Sequence, residues 1–471
     1  MTDHVEVRPG LYHDSVTLML LSQSLGEGST VEHAMVAMGT ALNVELLVDA
    51  GYELGPVTPG DLIVAFRADS ASVEQIRGQV DHLLSQSTGR GGAGERTGGG
   101  EAEPAHSLGH AISQVGATVA LISVPGEHAF REAIDAIEAG AHPIIFSDNV
   151  SVEHEVLLKK AAASVGLLAM GPDCGTVILS GTGLGFANVV TPGPIGLVSA
   201  SGTGAQQVCA LCDQAGVGVR HVLGLGGRDL SDEVGGLSAL AAIDILDADP
   251  TVEVIGIIAK EIGLATRSRL DRLLAEITTP SVVVATDDLT AGAAALTEAA
   301  GVQFPEPRTW SPAHRPSVAP STTTTSRILG LYSGGTLALE ADRILTGAGI
   351  EAEIIDLGAD EYTRGRPHPM IDYRLRLDRL GAAAGDPDIR AVLLDVVLGH
   401  GAAPDPAAEL GPAITGLEVP VLVALIGTSG DPQNLESQAE RLTAAGATVF
   451  ASNAETARAA AAIVKTNGDP S

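Results

Sequence analysis

Short apolar runs alternate regularly with amphipathic stretches from residue 117 onward. The run ATVALISV predicts a strand, and EHAFREAIDAIEAG predicts a helix that ends at Gly140, a residue suited to the left-handed C′ position. HPIIFS and LLAMG predict two more strands, with the helix VEHEVLLKKAAASVG between them. Strands that alternate with helices at this spacing predict a parallel sheet covered on both faces, and hence a Rossmann-like domain.

Two later stretches of the chain resemble each other. Each opens on an apolar strand, IGLVS or ILGLY, followed by a Ser/Gly/Thr turn, a helix and an Ala-Gly pair. Each continues with a strand after an Asp-Pro step, in DPTVEVIGIIA and DPDIRAVLLDVV, and with a further strand introduced by proline. Similar elements in the same order at matched spacing predict a duplicated flavodoxin-like domain.

Segments without apolar periodicity divide the chain. The Gly-rich stretch at about 85–105 predicts a surface excursion, and the proline-rich stretch 306–326, with its tract STTTTS, predicts a linker. The predicted organisation is α/β throughout. A Rossmann-like domain covers residues 1–190, and two flavodoxin-like parallel-sheet domains cover 191–305 and 327–471.

Composition and charge narrow the set of partners. The 58 acidic and 27 basic residues give a net charge of −31, which disfavours nucleic acids and anionic membrane surfaces but leaves room for small anionic substrates. No apolar run approaches the roughly 18 residues of a transmembrane helix, and the first residues lack the segments of a signal peptide. Cys209 and Cys212 lie in a predicted helix, so packed thiols are favoured over a redox pair. We expect a cytoplasmic protein.

Glycine-rich turns follow several predicted strands, at the sheet edge where ligands bind in parallel α/β folds. Their N–H groups and the helix dipole favour an anion, although each single turn is also explained by helix capping. Two corresponding turns of the duplicated pair favour a shared phosphate or anion site, formed by Ser199, Ser201, Gly202, Thr203, Gly204, Ser333, Gly334, Gly335 and Thr336. Further pocket candidates are Asn188, Gly226, Gly227, Glu261, Gly399, His400 and Gly401.

The segment 356–372 carries the densest candidate chemistry. Arg364 and Arg366 suit a carboxylate or a phosphate, and His368 stands between two prolines that restrict its backbone. We take these three residues as catalytic candidates, the alternative being a solvated loop with compensating charges. P-loop, H-E-x-x-H, zinc-spacing, G-x-S-x-G and dinucleotide fingerprints are absent from the sequence, so no dedicated metal is expected.

Several motifs resemble succinyl-CoA synthetase. GPDCGT at 171–176, IGLVSASGTGAQ, GLGGRDL and DPTVEVIGIIAKEIG are similar to its α subunit, and AVLLDVVLGHGA is similar to the terminal domain of its β subunit, at the phosphate site. The resemblance implies a CoA-binding-type Rossmann-like domain followed by two succinyl-CoA-ligase-type domains. More specifically, HDSVTLMLLSQSL, EYTRGRPHPMID and LLDVVLGHGAAPDPA resemble the FdrA family.

The resemblance to FdrA implies a function in allantoin and purine degradation, as a subunit of a carbamoyltransferase that uses carbamoyl phosphate and oxamate. Succinyl-CoA synthetase needs a phosphohistidine, but residues 278–301 contain no histidine, and the ATP-grasp domain is absent from the sequence. We therefore expect a carbamoyltransferase subunit without a required cofactor, acting with other subunits or as a homo-oligomer. The alternatives are an acyl-CoA synthetase-like or CoA-binding subunit with an ATP-grasp partner, and a regulatory subunit without chemistry.

Overall fold

The structure is a computed structural model that describes residues 2–11, 13, 15–26, 31–69, 71–90, 105–313, 327–363 and 366–466. The chain forms two compact units. The first contains residues 1–105 and 360–367, and the second contains residues 106–359 and 368–471. No helix in these ranges combines the length and the apolar character that crossing a membrane requires.

The first unit is built on an antiparallel sheet. Its strands pair in the order β1-β3-β2, and apolar side chains of two helices pack on one face. Its elements are β1 (Thr2–Arg8), α1 (Ser15–Gly26), β2 (Val31–Met38), α2 (Ala41–Asp49), β3 (Leu62–Ala68) and α3 (Val73–Arg90). The predicted Rossmann-like domain over 1–190 therefore does not begin at residue 1, because residues 1–105 bury their own core beneath an antiparallel sheet.

The next segment carries the predicted βαβ alternation. Its elements are α4 (Leu108–Val115), β4 (Val119–Ile122), α5 (Gly126–Glu138), β5 (His142–Ile145) and α6 (Val152–Ser164). The strands β4 and β5 are parallel, and the predicted strand LLAMG contributes a single parallel bridge from Met170 to Ile144. Gly140 has φ +84°, as the predicted helix end requires.

The first flavodoxin-like domain has a sheet in the order β11-β10-β8-β9-β6-β7, in which β8 to β11 are parallel. Its elements are β6 (Thr176–Leu179), β7 (Thr182–Gly185), β8 (Ile195–Ser199), α7 (Gly202–Gln214), β9 (Val219–Gly224), α8 (Leu237–Asp247), β10 (Val254–Ala259), α9 (Leu264–Glu276), β11 (Ser281–Ala285) and α10 (Leu289–Ala299). Cys209 and Cys212 are buried free thiols in α7, which confirms the prediction, and burial raises the pKa of Cys212 to about 12.

The second flavodoxin-like domain has the sheet order β12-β17-β16-β15-β13-β14. Its elements are β12 (Thr309–Trp310), β13 (Arg327–Tyr332), α11 (Gly335–Gly347), β14 (Ala352–Asp356), α13 (Arg374–Ala383), β15 (Ile389–Val397), α14 (Pro406–Thr415), β16 (Val421–Ile426), α15 (Leu435–Ala444), β17 (Thr448–Phe450) and α16 (Asn453–Thr466); α12 (Asp360–Thr363) belongs to the first unit. In both domains the first strand lies between the second and the third, with the fourth beyond the third, as in flavodoxin-like sheets.

The predicted surface excursion and the predicted linker both contain regular secondary structure. Residues 85–90 continue helix α3, and residues 91–104 lie outside the described residues. Within the predicted linker, β12 adds an antiparallel edge strand to β17, and residues 314–326 are not described.

One apolar cluster runs through both flavodoxin-like domains. It joins side chains of α7, such as Val208 and Leu211, to side chains of α11 and α16, such as Leu337 and Ala460. Burying these helices against one another sets α7 beside α11, and this packing positions the candidate site.

Candidate functional site

Hydrogen bonds of two serines stabilise the first turn of α7. The Ser201 hydroxyl caps the helix by accepting a hydrogen bond from the Gly204 N–H at 2.9 Å. The Ser199 hydroxyl donates to the Ser201 carbonyl at 2.7 Å and accepts from the Ser201 N–H at 3.1 Å. Gly202 and Thr203 begin the helix, so their N–H groups have no acceptor within it and are directed beyond its start. The turn thus presents two donors at the positive end of a helix dipole.

The corresponding turn before α11 already binds an anion of the protein itself. The Ser333 and Gly334 N–H groups donate to the Asp395 carboxylate at 2.8 and 2.9 Å, and the Ser333 hydroxyl lies 3.0 Å from both carboxylate oxygens. The Arg376 guanidinium completes the arrangement at 2.7 Å from Asp395 Oδ1. Ser333 and Gly334, predicted to bind a ligand anion, are therefore engaged by Asp395. Of the other two residues of this turn, Thr336 is buried and Gly335 is half-buried.

The two turns meet. Ser201 Oγ and Thr336 Oγ1 share a hydrogen bond of 2.6 Å, although they stand 135 residues apart in the chain. Thr203 also packs against the second turn, since a Cβ on Gly334 would come within 2.6 Å of its Oγ1. The starts of α7 and α11 thus converge at the carboxyl edges of both sheets. Both helix dipoles favour negative charge, which Asp395 already supplies at α11.

Two charged residues that the sequence analysis did not select lie beside this junction. A Cβ on Gly335 would lie 2.5 Å from Asp356 Oδ2 and 3.3 Å from Lys260 Nζ. Lys260 directly follows β10, and Asp356 is the last residue of β14. Burial raises the pKa of Asp356, while the hydrogen bond from the Gly358 N–H partly offsets this. Their positions at strand ends, the signal that singled out the turns, would also have identified both residues.

The imidazole of His368 lies on the far side of Asp356. A Cβ on Gly358 would lie 3.0 Å from His368 Nε2 and 3.2 Å from Asp356 Oδ1. His368 Nδ1 accepts a hydrogen bond from the Met370 N–H at 3.2 Å, so in the neutral ring Nε2 carries the hydrogen. Burial, with a smaller effect of the Arg376 charge, lowers the pKa of His368 to about 4. Near neutral pH this side chain is therefore an uncharged donor whose Nε2–H lies beside Gly358.

The predicted turn 399–401 is held in place by backbone contacts. The Gly399 N–H donates to Gln433 at 3.0 Å, and the His400 N–H donates to the Ala187 carbonyl at 2.8 Å. A Cβ on Gly401 would lie 2.8 Å from the ring of Phe186, which in turn packs at a tilt against the ring of His368, with ring centroids 5.7 Å apart. The turn 399–401 is therefore connected to His368 by the ring of Phe186.

The remaining predicted residues have other surroundings. Asn188 is buried and joins the two flavodoxin-like domains, donating to the Leu398 carbonyl at 3.0 Å and to Asp431 at 2.9 Å. Gly226, with φ +79°, packs against the backbone of residue 172, and Gly227 lies near residue 173. Glu261 is exposed next to Lys260. Arg366 belongs to the first unit, and Arg364 lies outside the described residues.

We expect Gly334→Ala to destabilise the junction by about 1–3 kcal/mol, because its Cβ would overlap Thr203 at 2.6 Å. Gly347→Ala is the matched control at the other end of α11, where a Cβ meets nothing within 4 Å. That substitution should be neutral or stabilising by up to about 1 kcal/mol. Thermal unfolding of both variants measures the difference, and equal melting temperatures would show that the two turns are not in tight contact.

Profiles of two protein families match the chain. The CoA-ligase profile matches residues 331–463, and the profile described as "AllF, heavy metal-associated domain" matches residues 1–100. Residues 1–100 contain no cysteine, and no group of three or more His, Cys, Asp or Glu side chains gathers in the described part of the chain. The donors present therefore do not fit a soft heavy metal held by thiolates.

Relatives extend the comparison beyond these profiles. The α subunit 1 of the ADP-forming succinate–CoA ligase of Archaeoglobus fulgidus is 26% identical over 176 residues, which cover 36% of this chain and 59% of that subunit. The solved structure of the dinucleotide-forming acetyl-coenzyme A synthetase 1 of Ca. Korarchaeum cryptofilum, in complex with phosphate and ADP, has a TM-score of 0.31 and 16% identity, covering 75% of this chain and 85% of that one. A TM-score of this size supports no inference about function.

YahF of Escherichia coli (strain K12) matches nearly end to end. It is 33% identical over 513 aligned positions, which cover 97% of this chain and 97% of YahF. Together with the CoA-ligase profile and the succinate–CoA ligase α subunits, this match identifies a CoA-ligase-like protein similar to the succinyl-CoA synthetase α subunit. The chain belongs to the same family as YahF, among the succinyl-CoA synthetase-like proteins.

Proposed function

We propose that the chain is a subunit of a carbamoyltransferase of the FdrA type, which exchanges a carbamoyl group between carbamoyl phosphate and a small amide or carboxylate such as oxamate. The observation that carries this proposal is the 2.6 Å contact between Ser201 and Thr336, which sets the start of α7, suited to a phosphate group, beside the start of α11. Residues 278–301, which form β11 and α10, supply no histidine that could take up a phosphoryl group there.

Carbamoyl transfer suits a site that positions anions without a nucleotide. The acceptor nitrogen attacks the carbamoyl carbon, the bond from that carbon to the phosphate oxygen breaks, and phosphate leaves with the electron pair. Preorganised N–H donors at the start of α7 would stabilise the charge on the departing phosphate. The neutral His368 would orient a substrate oxygen through Nε2–H, since its other ring nitrogen is already hydrogen-bonded. A contribution of Arg366 to anion binding stays a prediction.

A second candidate is favoured by the CoA-ligase profile over residues 331–463. In that case the chain would be an acyl-CoA synthetase-like or CoA-binding subunit, which obtains its phosphoryl group through an ATP-grasp partner. Multi-subunit relatives, such as the succinate–CoA ligase α subunits, support a requirement for partner proteins in both cases. The buried free thiols support a reducing compartment such as the cytoplasm.

Phosphate release from carbamoyl phosphate, with and without oxamate, tests the proposal directly. The measurement should use the chain alone and the chain together with the products of neighbouring genes. Oxamate-dependent release without nucleotide is the expected result. Nucleotide-dependent formation of an acid-labile phosphoprotein or of a CoA thioester would instead favour the second candidate.

Replacement of Ser201 with alanine separates helix capping from anion binding. Loss of the cap should cost about 1 kcal/mol of stability. If the hydroxyl pair also borders the bound phosphate, the affinity for inorganic phosphate should fall severalfold in addition. Ser151→Ala is the control, because Ser151 caps α6 in the same way, accepting from the His154 N–H at 3.2 Å. Equal phosphate affinity in both variants would remove the Ser201 hydroxyl from the site.

A further inference from the structure

Two glycines allow polar side chains to lie close to the start of α11. The positions that a Cβ would take on Gly335 and on Gly358 both lie against Asp356, at 2.5 Å from Oδ2 and 3.2 Å from Oδ1. Lys260 Nζ borders the first position at 3.3 Å, and His368 Nε2 borders the second at 3.0 Å. A carboxylate, an ammonium group and an imidazole N–H therefore lie beside the two glycines, where a Cβ would overlap neighbouring atoms, including the Ser333 carbonyl oxygen at 2.5 Å from the Gly358 position.

The two charged groups beside Gly335 keep hydrogen-bonding capacity that the fold does not use. Asp356 Oδ1 accepts a hydrogen bond from the Gly358 N–H at 3.0 Å, whereas no donor to Oδ2 is found among the described residues. Lys260 is exposed and makes no hydrogen bond or ion pair within the same part of the chain. An acceptor and a cation are thus both available to a ligand that carries a donor and an anionic group of its own.

The starts of α7 and α11 also differ in charge. Two carboxylates belong to the α11 turn, Asp395 at the N–H groups of Ser333 and Gly334, and Asp356 beside Gly335. At the α7 turn, the atoms within 4 Å of a Cβ on Gly202 belong to Thr176, and none is a carboxylate oxygen. Like charges repel, so a phosphate dianion is favoured at the α7 turn and disfavoured at the α11 turn.

We infer that Lys260 and Asp356 form an acceptor subsite for a small carboxylate that bears an NH₂ group, with the phosphate of the donor at the start of α7. This inference rests on the proposed carbamoyl transfer. Lys260 binds the acceptor carboxylate, and Asp356 Oδ2 accepts a hydrogen bond from the NH₂ group. When the nitrogen forms its bond to the carbamoyl carbon, the carbon–oxygen bond to phosphate breaks, phosphate keeps the electron pair, and the nitrogen passes its proton to Asp356.

The burial of Asp356 is consistent with this role. Burial raises the pKa of its carboxyl group, which makes the carboxylate a stronger base than one in water. The neighbouring Lys260 acts in the opposite direction, and a bound acceptor carboxylate would neutralise part of that charge.

Titration calorimetry of the full chain with oxamate, pyruvate and inorganic phosphate tests the inference without requiring turnover. Oxamate and pyruvate have the same shape and differ in carrying NH₂ or CH₃. The wild-type protein should bind oxamate at least about tenfold more tightly than pyruvate, because pyruvate leaves the Asp356 oxygen without a donor. Lys260→Met should weaken both carboxylates about tenfold or more and change phosphate affinity less than about threefold. Asp356→Ala should bring the two carboxylates within about twofold of each other.

Lys160→Met and Asp378→Ala are the matched controls, since both residues are exposed on other helices of the second unit. Neither should change the three affinities. If Lys260→Met or Asp356→Ala lowers the melting temperature, Lys260→Gln and Asp356→Asn are measured instead. These variants should change the ratios of the oxamate, pyruvate and phosphate affinities in the same direction.

Two outcomes overturn the inference while the proposed function stands. One is a wild-type protein that binds phosphate but neither carboxylate, or both carboxylates equally. The other is a Lys260→Met protein that loses phosphate and keeps oxamate. If the wild-type protein, assayed with its partner subunits, neither binds phosphate nor releases it from carbamoyl phosphate, the proposed function fails and this inference fails with it.

Discussion

Replacement of Arg376 with methionine is expected to lower the free energy of unfolding by about 3–5 kcal/mol. Arg376 and Asp395 are both fully buried, and the guanidinium binds the Asp395 carboxylate at 2.7 Å and its carbonyl at 2.6 Å. Methionine retains much of the side-chain volume but leaves the carboxylate in the protein interior without its counter-charge. Urea denaturation measures the effect, as a lower midpoint at an unchanged m-value.

The control for Arg376 is Arg131→Met, which makes the same change at an exposed position on α5. It should alter the stability by less than about 0.5 kcal/mol. Because Asp395 also holds the Ser333 and Gly334 N–H groups, the Arg376 variant should lose order at the start of α11 before the rest of the domain unfolds. A loss of stability below about 1 kcal/mol would show that Asp395 does not depend on this counter-charge.

The second large effect concerns Glu340, a buried carboxyl group on α11 that reaches the start of α10. Its oxygens accept hydrogen bonds from the Leu289 N–H at 2.6 Å and from Asn453 at 2.7 Å. Burial raises the pKa of Glu340 from 4.5 to about 7, and these hydrogen bonds offset part of that rise. Asp288 adds to the rise, and the Arg458 charge opposes it.

The folded protein therefore holds the Glu340 proton more tightly than the unfolded chain does. Stability should fall as the pH rises from about 4.5 to above 7, because ionising the buried group costs free energy in the folded state alone. At about 1.4 kcal/mol for each pKa unit, the loss is on the order of 3 kcal/mol. Ionisation of Glu340 should weaken the contact between the two flavodoxin-like domains, because Glu340 and Leu289 lie on opposite sides of that contact.

Unfolding free energies of the wild type and of Glu340→Gln, measured from about pH 5 to pH 8, test this expectation. The variant cannot ionise at this position, so its curve should lack the decline assigned to Glu340. Glu298→Gln is the control on the exposed side of α10 and should keep the wild-type slope. Parallel curves for the wild type and Glu340→Gln would contradict a buried, pH-dependent charge at this contact.

Much of the second unit could be predicted from the pattern of apolar positions. The runs IGLVS, ILGLY and VLVALI became strands β8, β13 and β16, whose residues are almost entirely buried, because strands covered on both faces need continuous apolar sequence. The duplicated strand order follows from the same pattern. The first unit was missed, since its antiparallel sheet required a pairing of β1 with β3 that no local pattern in residues 1–105 indicates.

The candidate site, too, could be predicted from the sequence only in part. The sequence identified both Ser/Gly/Thr turns, because small and hydroxyl residues after an apolar strand have a local meaning as caps and donors. It did not reveal that Asp395 already occupies the second turn, since that carboxylate lies 62 residues beyond Ser333. It also left Lys260 and Asp356 unselected, although both stand at strand ends, because a single charged residue there does not show that both lie beside Gly335.

The sequence by itself determined the α/β class, the duplicated pair of parallel-sheet domains and the two helix starts suited to an anion. Each of these depends on residues close together in the chain, whose spacing sets the local backbone and the buried face. The tertiary structure alone decided that the two turns meet at Ser201 and Thr336, that one of them is neutralised by Asp395, and that His368 is an uncharged donor. These features depend on contacts across one shared apolar core and on burial from water, and both arise only when distant segments pack together.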